Sequence, residues 1–520
     1  MFDELVAEAE AASGSGDGVV GAWARVEAAA CARRLAGMVA MLDARYAAGG
    51  SAEREQWYLD NWGAVSAQIG AAQNITAGAA SHQLLIATAL RDRLPRVAAV
   101  FAQGLVSYAV VAMIASRTAL IKDPEALALV DAALAQVVRA WEPMSVGRTI
   151  AAVDHWVERY DPHAVRRTRD RARSRCVEVF LEDCGGLASL WGTLFAHDAK
   201  ALDQRLEALA ATVCDADART RDQRRADALG ALANGMDRLA CRCGLSDCAA
   251  ASAASTTAGR GSAVVYVITH EDTLTDHGQA AARQDATLDG MAPAMFDRPV
   301  RELTLTEALT DTDPGEPAAT RAGVMLGGPV LAGPIIRRLA LQAAIRRIIH
   351  PGGSPPEPRY TPSRALADFV RCRDLTCRFP GCDVSAERCD IDHTIPYPVG
   401  PTCASNLKCL CRFHHLLKTF WSGDGGWGDC QSPDGTVVWT APGGATYRTR
   451  PGSHLLFPSL CEPTAAVTTS PGRSAGPNPG LTMPRRKTTR TQDRRHRIYE
   501  ERRLNEEAAA LATADSIPPF

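Results

Sequence analysis

The chain has 520 residues, enough for two to four domains that each bury a hydrophobic core. Its formal net charge is −2, and no uncharged apolar run reaches the roughly eighteen residues that a membrane-spanning helix needs. The N-terminal segment MFDELVAEAEAASGSGDG is acidic and lacks the basic and apolar regions of a signal peptide. We therefore expect a cytoplasmic protein without a membrane partner.

The N-terminal part is rich in alanine and has helical periodicity. Between Trp23 and Tyr46, four apolar residues recur at helical spacing, namely Leu35, Met38, Val39 and Leu42. A second helix is predicted to begin with Ser81 as its N-cap and to stop at Pro95. Two apolar helices then follow, interrupted at Gly104 and with Ser107 available as a cap. Their outline is compatible with a DNA-binding helix-turn-helix, but helical hairpins are common, which favours two core helices.

The middle of the chain is less regular. Residues 166–175 contain six arginines and one aspartate, which indicates either a phosphate-facing stripe or, more commonly, a solvated surface. Strands are predicted at residues 176–181 and 263–268. One amphipathic helix is predicted over residues 333–350, before a boundary rich in Pro and Gly.

The sixteen cysteines are clustered. Eight lie from Cys372 to Cys430, and three more are Cys241, Cys243 and Cys248. Such clusters in a long chain favour metal ligation in a reducing compartment over disulfides. The group of three thiols can bind zinc with a distant fourth ligand, but an unmetallated, reduced loop explains it equally well.

Two short ligand pairs predict a structural zinc site. Cys377 and Cys382 flank an Arg-Phe-Pro-Gly turn, and Cys411 and His414 stand three residues apart, on one face of a predicted helix. Alternative ligands within the same region are Cys389, Cys403 and Cys409, for each of which a packed thiol is the simpler interpretation. The neighbouring His415 points in a different direction along the helix and therefore needs another partner.

Four further residues have the chemistry of a hydrolytic metal site. In chain order they are Asp392, His393, Asn406 and His415. A carboxylate and an imidazole can hold a divalent cation, a second imidazole can take a proton from water, and an amide can orient that base.

The segments CRFPGC, DIDH and NLKCLCRFHHLLKT together resemble the zinc-containing HNH endonucleases, over roughly residues 371–420. The resemblance implies a treble-clef-like ββα-metal fold. It also implies that His393 is the general base, that Asn406 positions it, and that Asp392 and His415 bind the catalytic cation. His414 then completes the structural zinc site, although the helix order also permits the reverse assignment of the two histidines.

A longer resemblance covers most of the chain up to about residue 455. AWARVEAAACARRLAG, SHQLLIATALRDRLPRVAAVF and WVERYDPHAVRRTRD are similar to the actinobacterial thirteen-E-twelve repeat proteins. Members of that family join a helical N-terminal domain of unknown function to an HNH domain, which implies a link to mobile or repeated DNA. The chain departs from many zinc-type relatives in having His414 where they carry Cys. Its loop also reads Val-Gly-Pro-Thr, in place of the paired glycines that usually precede the position of Thr402.

The predicted architecture is a mainly α region followed by a small α+β zinc domain. The expected boundaries are 1–350 for the helical domain, 351–370 for a linker and entry helix, 371–455 for the HNH domain, and 456–520 for a disordered, basic tail. A β-hairpin closed at Asp434-Gly435 should end the HNH domain, with Trp427 and Trp439 packed on it rather than stacking on bases. From Leu481 to Arg503 the tail has nine basic and three acidic residues, a balance of +6 that suits a polyanion.

The expected function is metal-dependent hydrolysis of DNA phosphodiester bonds. The cofactors would be a structural Zn²⁺ and a catalytic Mg²⁺, Mn²⁺ or Ni²⁺. Arg412 and Lys418 are candidates for phosphate contacts, with ordinary solvated positions as the alternative. The competing hypothesis is a zinc-stabilised DNA-binding module without turnover, but such a module has no need for His393.

Overall fold

The computed structural model describes residues 2–11, 16–48, 54–141, 144–165, 176–181, 187–252, 265–275, 322–341, 343–423, 425–469 and 482–515. The helices are α1 (Phe2–Ala11), α2 (Gly16–Ala48), α3 (Asn61–Gln73), α4 (Ala77–Asp92), α5 (Pro95–Ala102), α6 (Tyr108–Arg117), α7 (Pro124–Val137), α8 (Val146–Tyr160), α9 (Ala196–Ala210), α10 (Arg221–Ala233), α11 (Ala249–Ser252), α12 (Glu271–Thr275), α13 (Gly333–Ala340), α14 (Arg364–Asp374), α15 (Arg412–Phe420) and α16 (Arg490–Asp515). None of the described helices is long and apolar enough to cross a membrane.

The strands form small antiparallel sheets. They are β1 (Cys176–Leu181), β2 (Ala188–Thr193), β3 (Val267–Ile268), β4 (Gly323–Met325), β5 (Val330–Leu331), β6 (Cys389–His393), β7 (Leu407–Cys411), β8 (Gly428–Gln431), β9 (Val437–Thr440) and β10 (Thr446–Thr449). β1 pairs with β2 and β6 with β7, while β3–β4–β5 and β8–β9–β10 are three-stranded.

Local sequence signals set most helix starts in the N-terminal half. Asp60, Thr76, Ser107 and Ser145 each accept a backbone N–H bond in the first turn of the helix that follows them. Helix α5 lacks such a cap of its own. The buried Asp131 of α7 supplies it instead, because its carboxylate accepts the amides of Arg96 and Val97 at 2.9 and 3.0 Å.

The helices α2 and α4–α8 share one apolar core. The helices on either side of Gly104 contribute Phe101 and Ile114, both fully buried, so this pair is part of the core as expected. Gly104 itself has φ +75°, and a Cβ there would lie 2.3 Å from the Arg25 carbonyl oxygen. The interruption between the two helices is therefore a close contact with α2.

A second core joins α3 to the C-terminal region. Leu59, Ala64 and Ala67 pack with Phe379 and Trp421 in one cluster of buried residues. The Trp421 indole N–H also donates to the Leu59 carbonyl at 3.2 Å. Helix α3 thus has one face in each core, and the helical half supplies part of the platform on which the zinc-ligand region rests.

The C-terminal sheet packs against the same core. Trp427 and Trp439 are buried, and the Trp439 indole N–H donates to the Arg378 carbonyl oxygen at 2.8 Å. The turn between β8 and β9 contains Gly435 at φ +79°. Core packing of both tryptophans, the preferred expectation, is correct, and the predicted hairpin is extended by β10 into three strands.

The expectation of a disordered tail over 456–520 is wrong for residues 490–515, which form α16. Arg490 and Arg502 make ion pairs with Asp60 and Asp161, both at 2.6 Å. Asn505 donates to two carbonyl oxygens just after α8, those of His163 and Val165. The carboxylates that pair with the tail lie far from it in sequence. Its local composition therefore looked like that of an unpaired, polyanion-binding segment.

Three smaller expectations also change. Helix α4 begins at Ala77 with Thr76 as its cap, one turn before Ser81. The predicted helix over 333–350 ends at Ala340. Ile345 and Ile349, which follow it, are exposed, so a longer helix would gain no stability from burying them. The predicted strand at 263–268 is described only at Val267–Ile268, while the arginine-rich residues 166–175 lie outside the described residues.

Candidate metal centres

Cys377, Cys382, Cys411 and His414 form one compact cluster, with all four ligand atoms within 4.8 Å of one another. His414 Nδ1 lies 3.5 Å from Cys377 Sγ and 3.3 Å from Cys411 Sγ, and Cys382 Sγ lies 4.0 Å from Cys411 Sγ. Tetrahedral zinc with bonds of about 2.0–2.3 Å requires ligand separations of about 3.3–3.8 Å. The cluster can therefore hold a zinc ion, with the ligands that the sequence indicated.

Local turns bring these ligands together. Gly381 adopts φ +71°, and a Cβ there would lie 2.6 Å from the Ile75 carbonyl oxygen, so the turn between the first two cysteines requires glycine. Cys411 ends β7 and is the N-cap residue of α15, which places His414 in the first helical turn. The zinc-ligand cluster therefore spans the junction from which α15 starts.

The cluster is buried beside aromatic rings. The His414 imidazole stacks on Phe379 with ring centroids 4.0 Å apart. Burial raises the pKa of Cys377, whereas hydrogen bonds from Cys377 and Cys382 lower the pKa of Cys411. A dry site that favours one thiolate among several thiols fits a cation that binds deprotonated sulfur. The thiols of Cys389 and Cys409 instead face backbone carbonyl oxygens, and Cys403 faces Ser405.

His415 faces away from the cysteines, towards two carboxylates of β6. Its Nε2 lies 3.5 Å from Asp392 Oδ1, and its Nδ1 lies 2.8 Å from Asp390 Oδ2. His414 and His415, adjacent on α15, thus face two different groups of side chains, as the helical geometry required. The structure brings Asp392 and His415 together, with His393 next to Asp392 at the end of β6.

Two lysines share Asp392, which the sequence analysis did not predict. Asp392 Oδ2 accepts from Lys408 Nζ at 3.0 Å and from Lys418 Nζ at 2.6 Å. Lys408 is fully buried opposite Asp392 in the β6–β7 register and also pairs with Asp429 at 2.7 Å. Burial alone would lower the pKa of Lys408, but these two carboxylates raise it. Burial would likewise raise the pKa of Asp392, and the charges of Lys408 and Lys418 lower it.

Thr402 determines the tautomer of His393. The Thr402 hydroxyl lies 2.6 Å from the Arg359 carbonyl oxygen, to which it must donate its single proton. It is also 2.9 Å from His393 Nε2, so at that contact it accepts, and Nε2 carries the proton. Nδ1 is then the basic nitrogen of the ring. Burial lowers the pKa of His393, which keeps the imidazole neutral at lower pH than in solution.

Asn406 holds a loop instead of the histidine ring. Its side chain accepts from the Ile395 amide at 2.8 Å and donates to the carbonyl oxygens of Ile395 and Pro401 at 3.0 and 2.9 Å. These bonds close the loop that carries Thr402. Asn406 therefore contacts His393 only indirectly, through the loop and the Thr402 hydroxyl. The sequence carried no spacing signal for Thr402, because its partners Arg359 and His393 are brought to it by the fold.

The two candidate phosphate contacts differ in exposure. The Arg412 side chain is largely exposed and lies 3.5 Å from Asp390. Lys418 is mostly buried, contacts Asp392, and also donates to the His393 carbonyl oxygen. Burial lowers the pKa of Lys418, and the nearby Lys408 charge lowers it further.

Comparison with known proteins identifies the larger part of the chain. Residues 22–374 match the family model described as Domain of unknown function (DUF222). The chain belongs to the DUF222 family. The Cys214–Cys248 region lies within the matched residues, whereas the Cys377–His415 region begins just after them.

The relatives in Mycobacterium tuberculosis (strain ATCC 25618 / H37Rv) extend beyond that domain. "Uncharacterized protein Rv2100" is 47% identical over 505 residues, covering 96% of this chain and 88% of the relative. "Uncharacterized protein Rv3776" is 47% identical over 484 residues, covering 92% and 88%. No solved structure matches the chain.

Proposed function

We propose that this DUF222 protein is a metal-dependent HNH endonuclease that hydrolyses DNA phosphodiester bonds. The observation that carries the proposal is the placement of His415 Nε2 3.5 Å from Asp392 Oδ1, with His393 adjacent to Asp392. Two antiparallel strands followed directly by α15 produce this placement, in the order that a ββα-metal fold has. Reduced thiols and a DNA substrate suit the cytoplasm as its location.

The residues divide the chemistry among them. Asp392 and His415 would hold a divalent cation such as Mg²⁺, Mn²⁺ or Ni²⁺, which when bound stabilises negative charge on the phosphate and on the leaving 3′ oxygen. His393 Nδ1 would take the proton from the attacking water. The ring keeps its proton on Nε2, where the Thr402 hydroxyl accepts a hydrogen bond from it. The water oxygen forms the new bond to phosphorus as the bond to the 3′ oxygen breaks.

Zinc at the Cys₃His cluster would act as a structural ion. All four positions are protein ligands, so no coordination position is open to substrate. Because Cys411 and His414 lie at the start of α15, zinc there would fix the direction of the helix that carries His415. Loss of the ion would therefore act on the catalytic cation indirectly.

Basic side chains near the site would receive the DNA backbone. Arg412 is exposed on α15. Lys418 lies about two turns further along the same helix, where it contacts Asp392. A phosphate entering near Asp392 would accept the third N–H of Lys418, because the other two contact Asp392 and the His393 carbonyl oxygen. The contact would be independent of base sequence.

The alternative, a zinc-stabilised DNA-binding protein without turnover, also has an observation in its favour. Lys408 and Lys418 already neutralise Asp392, and their charges oppose a divalent cation beside it. The two functions differ in whether Asp392 and His415 bind a cation at all.

Supercoiled plasmid incubated with the full chain and Mg²⁺, Mn²⁺ or Ni²⁺ tests the proposal. We expect nicking that His393→Ala reduces by roughly 10²–10⁴-fold while DNA affinity is retained. His82→Ala, an exposed histidine of α4, is the matched control and should cleave like the wild type. DNA binding without cleavage under any of the three cations, with no cation bound in calorimetry, would favour the non-catalytic alternative.

A further inference from the structure

A second group of cysteines converges in the helical half. Cys214, Cys241, Cys243 and Cys248 have their sulfur atoms within 4.8 Å of one another. Cys241 Sγ is 3.6 Å from Cys214 Sγ and 3.9 Å from Cys248 Sγ. Disulfide sulfurs are about 2.05 Å apart, whereas thiolates around one zinc are separated by about 3.8 Å. The separations fit a shared metal ion and not a bonded pair.

Two loops deliver these ligands. Cys214 follows the end of α9, and the other three cysteines follow α10, with Gly244 at φ +70° inside the second loop. Backbone amides at Ala216 and Leu245 donate to the sulfurs of Cys214 and Cys243, two residues earlier in each case. These bonds fix the orientation of the two thiols within their loops.

Asp217 links the two loops by hydrogen bonds. Its carboxylate accepts from the Arg219 backbone amide at 3.1 Å and from the Arg242 amide at 2.8 Å. The buried Arg219 guanidinium pairs with the same carboxylate and donates to the Ala240 carbonyl oxygen. These bonds connect the segment that carries Cys214 to the loop that carries Cys241.

Among the described residues, the apolar core around these cysteines is small. Its buried members are Val213, Ala231 and Leu239. The ion pairs between α9 and α10 involve mostly exposed side chains such as Arg221 and Glu207, and such pairs contribute at most about 1 kcal/mol. Small domains with cores of this size usually need a disulfide or a metal ion, and the four cysteines here are free thiols.

We infer that Cys214, Cys241, Cys243 and Cys248 bind a second Zn²⁺ as a structural Cys₄ site within the DUF222 domain. The ion joins the segment after α9 to the loop after α10 and adds to the small apolar core that the described residues form there. With four thiolate ligands the site has no open position, so it stabilises the domain and takes no part in hydrolysis. This inference does not depend on nuclease activity.

Metal analysis of the full chain, purified without chelators, tests the site. We expect about two zinc ions per chain in the wild type and about one in Cys214→Ser. Cys176→Ser removes a thiol of β1 outside the cluster and should retain both ions. One zinc per chain in the wild type that Cys214→Ser leaves in place would overturn the inference.

X-ray absorption at the zinc edge of the wild type guards against a variant that simply fails to fold. One Cys₄ and one Cys₃His site average roughly 3.5 sulfur and 0.5 nitrogen neighbours per zinc, against 3 and 1 for the C-terminal site alone. Peptide mass mapping of unreduced, alkylated protein completes the test. A Cys214–Cys241 disulfide in freshly purified protein would contradict the inference, and four alkylatable thiols after zinc removal would support it.

Discussion

The two cysteine clusters hold similar ligands in different settings. The Cys377–His414 cluster lies in a large core with Phe379, Trp427 and Trp439, whereas the Cys214–Cys248 cluster has a small core and mostly half-buried thiols. The first also adjoins the Asp392–His415 site through α15, while the second adjoins an Asp217–Arg219 ion pair. The comparison indicates that one zinc would position a reactive helix and the other would substitute for apolar burial.

The largest expected effect separates two adjacent residues of the first region. His415→Ala should keep zinc and thermal stability but abolish cleavage, since it removes a ligand of the catalytic cation. His414→Ala should lose zinc and stability, because a structural site depends on its whole tetrahedral shell. Zinc content and nicking rates of both variants decide the matter. Zinc loss in His415→Ala with retention in His414→Ala would reverse the assignment.

Serine variants compare the clusters directly. Cys411→Ser should lower the nicking rate by at least about 10²-fold, because a shift of α15 by about 1 Å misplaces His415. Cys214→Ser should lose the other zinc, and α9–α10 should become sensitive to limited proteolysis while cleavage stays near the wild-type rate. Cys430→Ser, at an exposed thiol, controls for loss of sulfur alone. Equal loss of cleavage in Cys411→Ser and Cys214→Ser would contradict the different roles assigned to the two zinc sites.

Thr402 gives a smaller effect within the first region. Thr402→Val removes the acceptor of the His393 Nε2 proton, so the base loses its preferred tautomer, and we expect a roughly 10–100-fold lower kcat with little change in KM. Thr402→Ser should restore most of the rate. A loss of thermal stability without that rescue would instead indicate a structural role for the hydroxyl.

The smallest effect is a shift of the pH profile. Because burial lowers the pKa of His393, the ring is neutral, and able to accept a proton, at a lower pH than a free histidine of pKa about 6.5. Cleavage should therefore rise with pH along a limb centred below 6.5, measured at constant ionic strength and saturating cation. A limb centred above that value would mean that the Asp392 charge outweighs the effect of burial.

Local features of the fold were accessible from sequence because they depend on neighbours in the chain. Ser107 caps α6, and the interruption at Gly104 is where the spacing placed it. The divergence of His414 and His415 follows from the angle between consecutive helical residues. The short spacing from Cys377 to Cys382 and from Cys411 to His414 likewise indicated two ligand pairs, and the structure brings them into one cluster.

Only the tertiary structure decided which distant groups meet. Cys214 lies 27 residues before Cys241, and no spacing rule links them until α9 and α10 pack together. Lys408 meets Asp429, and Arg490 meets Asp60, for the same reason. A charged or ligating side chain identifies the chemistry that it can perform, but its partner is set by the burial of apolar faces elsewhere. The sequence by itself determined the helical composition, the Cys₃His ligand pairs and the different directions of His414 and His415. Packing decided which cysteine joins the second cluster, which tautomer His393 adopts and where the tail docks, because each depends on residues that are distant in the chain.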